Sequence, residues 1–220
     1  MSFFIIIIII IIIIILVSTV CTARVDLGFL IDATSASLRS NNRNYVEQFI
    51  QQLLRRFVIS GRSTRVGLLT FSARTYRLLG FTGSYTTKGI FKAIGRIRKL
   101  NGRRRLGRAL YYTKKSLFSY NPQCGRRRVL VVVTSGPSID AVQRPALSLQ
   151  GAGVEIFMIG VGRVSEPSLS KIVTDRRHLF MVGFKTLHTI LGTLRDRICF
   201  SPGEITVLRI SCCIVHVGIC

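Results

Sequence analysis

Short apolar runs alternate with helical periods from residue 24 to residue 199, and this alternation limits the possible folds more than any other feature. Residues 129–134 (VLVVVT) form the clearest run, almost wholly β-branched, as suits a strand covered on both faces. Similar runs occupy 25–31 (VDLGFLI), 65–71 (RVGLLTF) and 154–161 (VEIFMIGV), with shorter ones at 75–79 and 178–182. Between the first two, Tyr45, Phe49, Leu53 and Phe57 recur every four residues beside Val46, Ile50 and Leu54, which is one face of an amphipathic helix. Asn44 followed by Glu47 resembles a capping box, with Asn41 as the alternative cap. Further helices are predicted at 86–98, 107–119, 139–150, 167–174 and 184–198. The order predicts an α/β fold: a doubly wound, mostly parallel central sheet flanked by helices, with 75–79 as an edge hairpin strand. Ligands of such sheets bind beyond the carboxyl ends of the strands, here after Ile31, Thr134 and Val161.

The two ends of the chain lie outside this pattern. Residues 3–17 are unbroken apolar, mostly isoleucine, and the smaller Ser18, Thr19, Val20, Cys21, Thr22 and Ala23 follow. That layout predicts a secretory signal peptide over 1–23, although no Lys or Arg precedes the apolar run. An uncleaved anchor is the alternative and the one route to membrane contact; its apolar core falls short of the roughly 20 residues of a spanning helix. Either reading puts the domain in a compartment where disulfides persist and the product outside the cell. Residues 200–220 open on Pro202-Gly203 and read as a short, irregular, Cys-rich tail or a truncated chain end.

Five segments in register, VDLGFLIDATSAS, RVGLLTFSA, LGRALYYTKKSLF, RRRVLVVVTSGPSIDAV and LQGAGVEIFMIGVG, resemble a von Willebrand factor type A domain. The resemblance covers about 24–199 and is nearest to the matrilin and type VI collagen group of matrix proteins. It implies a secreted, noncatalytic domain that binds protein in the extracellular matrix or at a cell surface. Many such domains hold Mg²⁺ at an adhesion site built from Asp-x-Ser-x-Ser, a Thr before the third helix and an Asp after the fourth strand. Those oxygens suit a hard cation.

This sequence departs from that pattern. Asp32 matches the first Asp and Thr34 keeps a hydroxyl, but Ala36 replaces the second Ser, with Ser37 one residue out of register. Arg104 stands at the Thr position and Ser135 at the last Asp. A guanidinium beside a divalent ion is strongly repulsive. The expectation is therefore a degenerate site (Asp32, Thr34, Ser135) with no Mg²⁺ or other cofactor. Two readings of Arg104 stay open: it pairs with Asp32 in the ion's place, or Arg103-Arg104-Arg105 is a solvated loop. With Asp32, the residues Arg39, Arg103, Arg104, Arg105 and Arg163 are the candidate binding set.

The resemblance also bears on the cysteines. Type A domains are often closed by a disulfide just outside the first strand and last helix, and Cys21 with Cys199 would fit if cleavage precedes Cys21. A cut after Ala23 leaves Cys124, Cys199, Cys212, Cys213 and Cys220, an odd set. All six remain disulfide candidates.

Charge supplies the second functional reading. Lys+Arg number 32 against 9 Asp+Glu, a formal +23, and only 7 of the 32 are Lys. Arg126–Arg128 precedes the fourth strand and lies at the end opposite Arg103–Arg105, so the charge is spread over the molecule. Aromatic residues do not interleave with it and no nucleic-acid module is apparent, which argues against nucleic acid as partner. For a secreted protein the natural polyanions are sulfated glycosaminoglycans, and binding them is the alternative function. His178, His188 and His216 have no nucleophile partner in the pattern, and no enzyme is expected.

Overall fold

Val25–Asp32 (β1) is buried at every position, as a strand covered on both faces must be. A computed structural model describes residues 20–82, 86–120, 123, 125–162 and 164–200. The other strands are Arg65–Phe71 (β2), Thr75–Leu79 (β3), Arg127–Thr134 (β4), Val154–Val161 (β5) and Leu179–Val182 (β6). They form one sheet in the order β3-β2-β1-β4-β5-β6, with β3 antiparallel to β2 at one edge and the remaining pairs parallel. The expected doubly wound, mostly parallel architecture is therefore present.

Side-chain alternation along the strands divides the core in two. Leu27, Phe29, Ile31, Val129, Val131, Phe157 and Ile159 face helices Asn42–Leu54 (α1), Thr87–Ile94 (α2) and Leu191–Cys199 (α6). Leu30, Leu130, Val132, Ile156 and Met158 face Leu106–Leu117 (α3), Gln143–Gln150 (α4) and Glu166–Ser170 (α5). Close approach fixes α3: a Cβ on Gly67 of β2 would stand 2.8 Å from a Leu117 methyl. Large side chains such as Phe29 and Phe157 are wholly buried, each stabilising the fold by about 1.5–3 kcal/mol.

Several helix ends differ from the sequence reading. Helix α1 begins at Asn42 and has no side-chain cap; Glu47 instead accepts from Arg43 at 2.6 Å, so no capping box forms. Helix α4 begins at Gln143, four residues later than expected, and the span read as one last helix divides into a 3₁₀ segment, Phe184–Ile190, followed by α6.

The packed chain also includes residues ahead of Arg24. Cys21 is fully buried, exchanges backbone hydrogen bonds with Arg56 and Val58, and forms a disulfide with Cys199 at a Cα separation of 5.7 Å. A cut after Ala23 would remove half of that bond. Residues 1–19, which carry most of the expected signal peptide or anchor, the tail 200–220 apart from Phe200, and Cys124, Cys212, Cys213 and Cys220 lie outside the described residues.

At the amino ends of the strands, arginines act as mortar. Asp26 of β1 is wholly buried; Arg65 grips it with two hydrogen bonds at 2.5 and 2.6 Å, and the Tyr120 hydroxyl donates to it. Burial, reinforced by that bond to Asp26, pushes the Tyr120 hydroxyl's pKa well above its ordinary value. Arg126 donates to the carbonyls of Ser63 and Gly61, and Arg128 to those of Phe118, Tyr120 and Ala152. Arg127 pairs with Glu155. Arg126–Arg128 therefore lies at the expected end, but it is built into the fold and is not free surface charge. A guanidinium has five donors, enough to satisfy several loop carbonyls at once.

Candidate functional site

Three loops meet at the carboxyl end of the sheet, each held by backbone contacts. The loop after β1 starts at Asp32, where Thr34 N–H and Oγ1 donate to Asp32 Oδ1 at 3.0 and 2.8 Å, a tight Asx-type turn. The segment before α3 is clamped from two sides: Arg105 N–H donates to Ser72 O, and Ile139 N–H donates to Arg104 O. The loop after β4 supplies Ser135, whose N–H donates to Asp32 Oδ2 at 3.2 Å.

Arg104 joins the three. Its Nε donates to Asp32 Oδ2 at 2.5 Å, Nη2 to Thr34 Oγ1 at 3.2 Å and to Ser135 Oγ at 3.1 Å, and Nη1 to the Pro137 carbonyl. The side chain of Asp32 is 0% exposed and that of Arg104 12%. Of the two readings of Arg104, the geometry is that of a buried pair. The residues do not fit a divalent cation. One carboxylate is present where the family pattern has two, Ala36 offers a methyl group, and a guanidinium lies among the remaining oxygens. Among the described residues no group of three or more His, Cys, Asp or Glu could hold a metal.

A family model for the von Willebrand factor type A domain matches residues 26–193. The chain belongs to that family. It is 31% identical to vitrin of Bos taurus over 185 residues, which are 83% of this chain and 28% of vitrin. Human cochlin is likewise 31% identical, over 83% of this chain and 34% of its own length, and bovine matrilin-1 is 29% identical over 81% and 34%. These relatives are extracellular matrix proteins, and the chain spans about a third of their length. Among solved structures, proximal thread matrix protein 1 of the mussel byssus superposes with a TM-score of 0.77 at 23% identity, covering 82% of this chain and 48% of that one. At that identity the likeness concerns the fold alone. Another structure of that mussel protein has zinc in its adhesion motif.

In the type A domain described here, the other expected site residues are distributed around the Asp32–Arg104 pair. Arg103 and Arg105 flank it and are exposed. Arg39, also exposed, donates to the Ala36 carbonyl at 3.2 Å. Arg163 lies outside the described residues. His178 stacks on Phe157 at 3.9 Å, and burial lowers its pKa; His188 is exposed on the 3₁₀ segment, and His216 is outside the described residues.

Two supporting residues carried no readable signal. Asp140 accepts from Gly107 N–H at 2.9 Å and Arg108 N–H at 2.8 Å, and Ser138 Oγ accepts from Leu106 N–H at 2.8 Å. They cap α3 across more than thirty residues of chain, whereas a cap is ordinarily sought immediately before its helix. Gly107 makes this possible, because a Cβ there would lie 2.1 Å from the Ala141 carbonyl. Asp140→Ala is expected to cost about 1–2 kcal/mol in urea unfolding, with Asp140→Asn losing less because one acceptor remains.

Proposed function

We propose that this domain is a secreted, noncatalytic protein-binding module of the extracellular matrix or cell surface that works without a metal ion. Kinship with vitrin, cochlin and matrilin-1 supports the setting. The metal-independent mechanism is carried by one observation: the Arg104 guanidinium hydrogen-bonds Asp32, Thr34 and Ser135 together. Asp32 and Arg104 neutralise each other at the centre of the carboxyl-end surface, and the exposed Arg103, Arg105 and Arg39 around the pair make that surface positive. Such a surface favours an acidic partner through direct guanidinium–carboxylate pairs.

Removing or supplying the ion tests this. Millimolar Mg²⁺ or EDTA is expected to leave both the melting temperature and the capture of matrix proteins unchanged. The variant Ala36→Ser/Arg104→Thr/Ser135→Asp restores the family's ligand set and is expected to gain a Mg²⁺-dependent rise in melting temperature. At ion concentrations a hundredfold above Kd that gain is about 2.7 kcal/mol. EDTA-sensitive capture by the unaltered domain would sink the reading.

A second reading, binding of sulfated polymers, is favoured by a separate observation on the side of the sheet.

A further inference from the structure

A cleft of about 480 Å³ opens beside edge strand β3, between the start of α1 and the chain that follows α2. Arg43, Arg77, Arg96 and Arg98 line it, together with Tyr76 and Leu100. Arg43 is held in place, donating to Glu47 Oε1 at 2.6 Å and to the Gly95 carbonyl at 2.9 Å. Arg77 borders the cleft but directs its guanidinium to the Ser116 carbonyl of α3, on the other face of the sheet. Arg96, Arg98 and Tyr76 are exposed. Glu47 neutralises Arg43, so Arg96 and Arg98 are the two cationic side chains of the cleft left uncompensated by any ion pair among the described residues. Leu100 also bridges to Thr34, and its carbonyl accepts from Ser35, which joins the cleft to the loop that carries Asp32.

We infer that this cleft is a subsite for a sulfated glycosaminoglycan chain, whose sulfates pair with Arg96 and Arg98 while a sugar ring lies on Tyr76. The inference rests on the second reading above and assigns it a location. Its volume is in the range of small-ligand sites, large enough for a short stretch of polysaccharide. Guanidinium forks match planar or tetrahedral oxyanions, and an aromatic face suits the apolar side of a sugar. An acidic protein fits less well, because the centres of protein interfaces are depleted in charge and need a broad apolar area.

The test is binding of heparin oligosaccharides of defined length to the full chain, measured by calorimetry at several salt concentrations. Arg96→Ser/Arg98→Ser is expected to weaken binding about tenfold or more at low salt and to flatten the salt dependence by roughly one charge per residue removed. Arg144→Ser/Lys171→Ser removes two exposed charges near α4 and α5, on the other face of the sheet, and is expected to change little. Melting temperatures of both variants check that the fold is intact. Equal losses in the two variants, or none in the first, would overturn the cleft while leaving polyanion binding standing. No heparin binding by the unaltered chain would overturn both. Polyglutamate binding as tight as heparin, with the same sensitivity to Arg96→Ser/Arg98→Ser, would reassign the cleft to acidic protein.

Discussion

Arg104→Met is expected to destabilise the domain by about 3 kcal/mol, and by up to about 5 kcal/mol if the loops do not rearrange. The size follows from what is left behind. Asp32 keeps its bonds from Thr34 and from Ser135 N–H but loses the only cation within reach of Oδ2 among the described residues, while its side chain has no exposure to water. Thr34 and Ser135 lose a donor at the same time. Removing one member of a buried pair is costly because the other charge cannot be resolvated. The double variant Asp32→Asn/Arg104→Met should recover most of the loss, since a neutral, well-packed replacement of a buried pair is often close to neutral in stability. Urea unfolding of the four proteins in the cycle gives the coupling directly. A loss below about 1 kcal/mol for Arg104→Met would mean that Arg104 behaves as a solvated loop residue.

That pair was within reach of the sequence because register, once the family pattern was laid on the chain, put a cation at a ligand position opposite an otherwise stranded carboxylate. The strands were readable for a related reason: a sheet covered on both faces demands unbroken apolar runs, and little else in a chain produces them. Failure came where distant backbone decides. Arg126, Arg127 and Arg128 look like a surface charge run, yet Arg126 and Arg128 are bound mainly to carbonyls, and carbonyls have no residue signature. Residues 139–142 read in sequence as part of the next helix, but Asp140 is committed to the start of α3. Leu187 and Ile190, three apart, satisfy an α-helical stripe and a 3₁₀ one equally well, so the division between the 3₁₀ segment and α6 left no mark.

Removing the Cys21–Cys199 bond is the second change with a large expected effect, about 2–5 kcal/mol for Cys21→Ala/Cys199→Ala. The cysteines are 178 residues apart, so the loop they close is long. In the chain-entropy account a loop of that length restricts the unfolded state by about 5 kcal/mol, and loss of native packing at the fully buried Cys21 adds to the effect. Reduction of the unaltered domain should reproduce most of the loss, and the double variant should be insensitive to reductant. The result also bears on processing. Cys21 stays with the domain if the expected leader is cut ahead of it or is not cut at all, and is lost to a cut after Ala23. Intact-mass and peptide mapping of secreted protein is therefore expected to find Cys21 crosslinked to Cys199. An amino terminus at Arg24 would mean that the mature chain lacks both the disulfide and the Cys21 contacts with Arg56 and Val58. In that case Cys199→Ala alone should be nearly silent, an outcome opposite to the one the buried Cys21 implies.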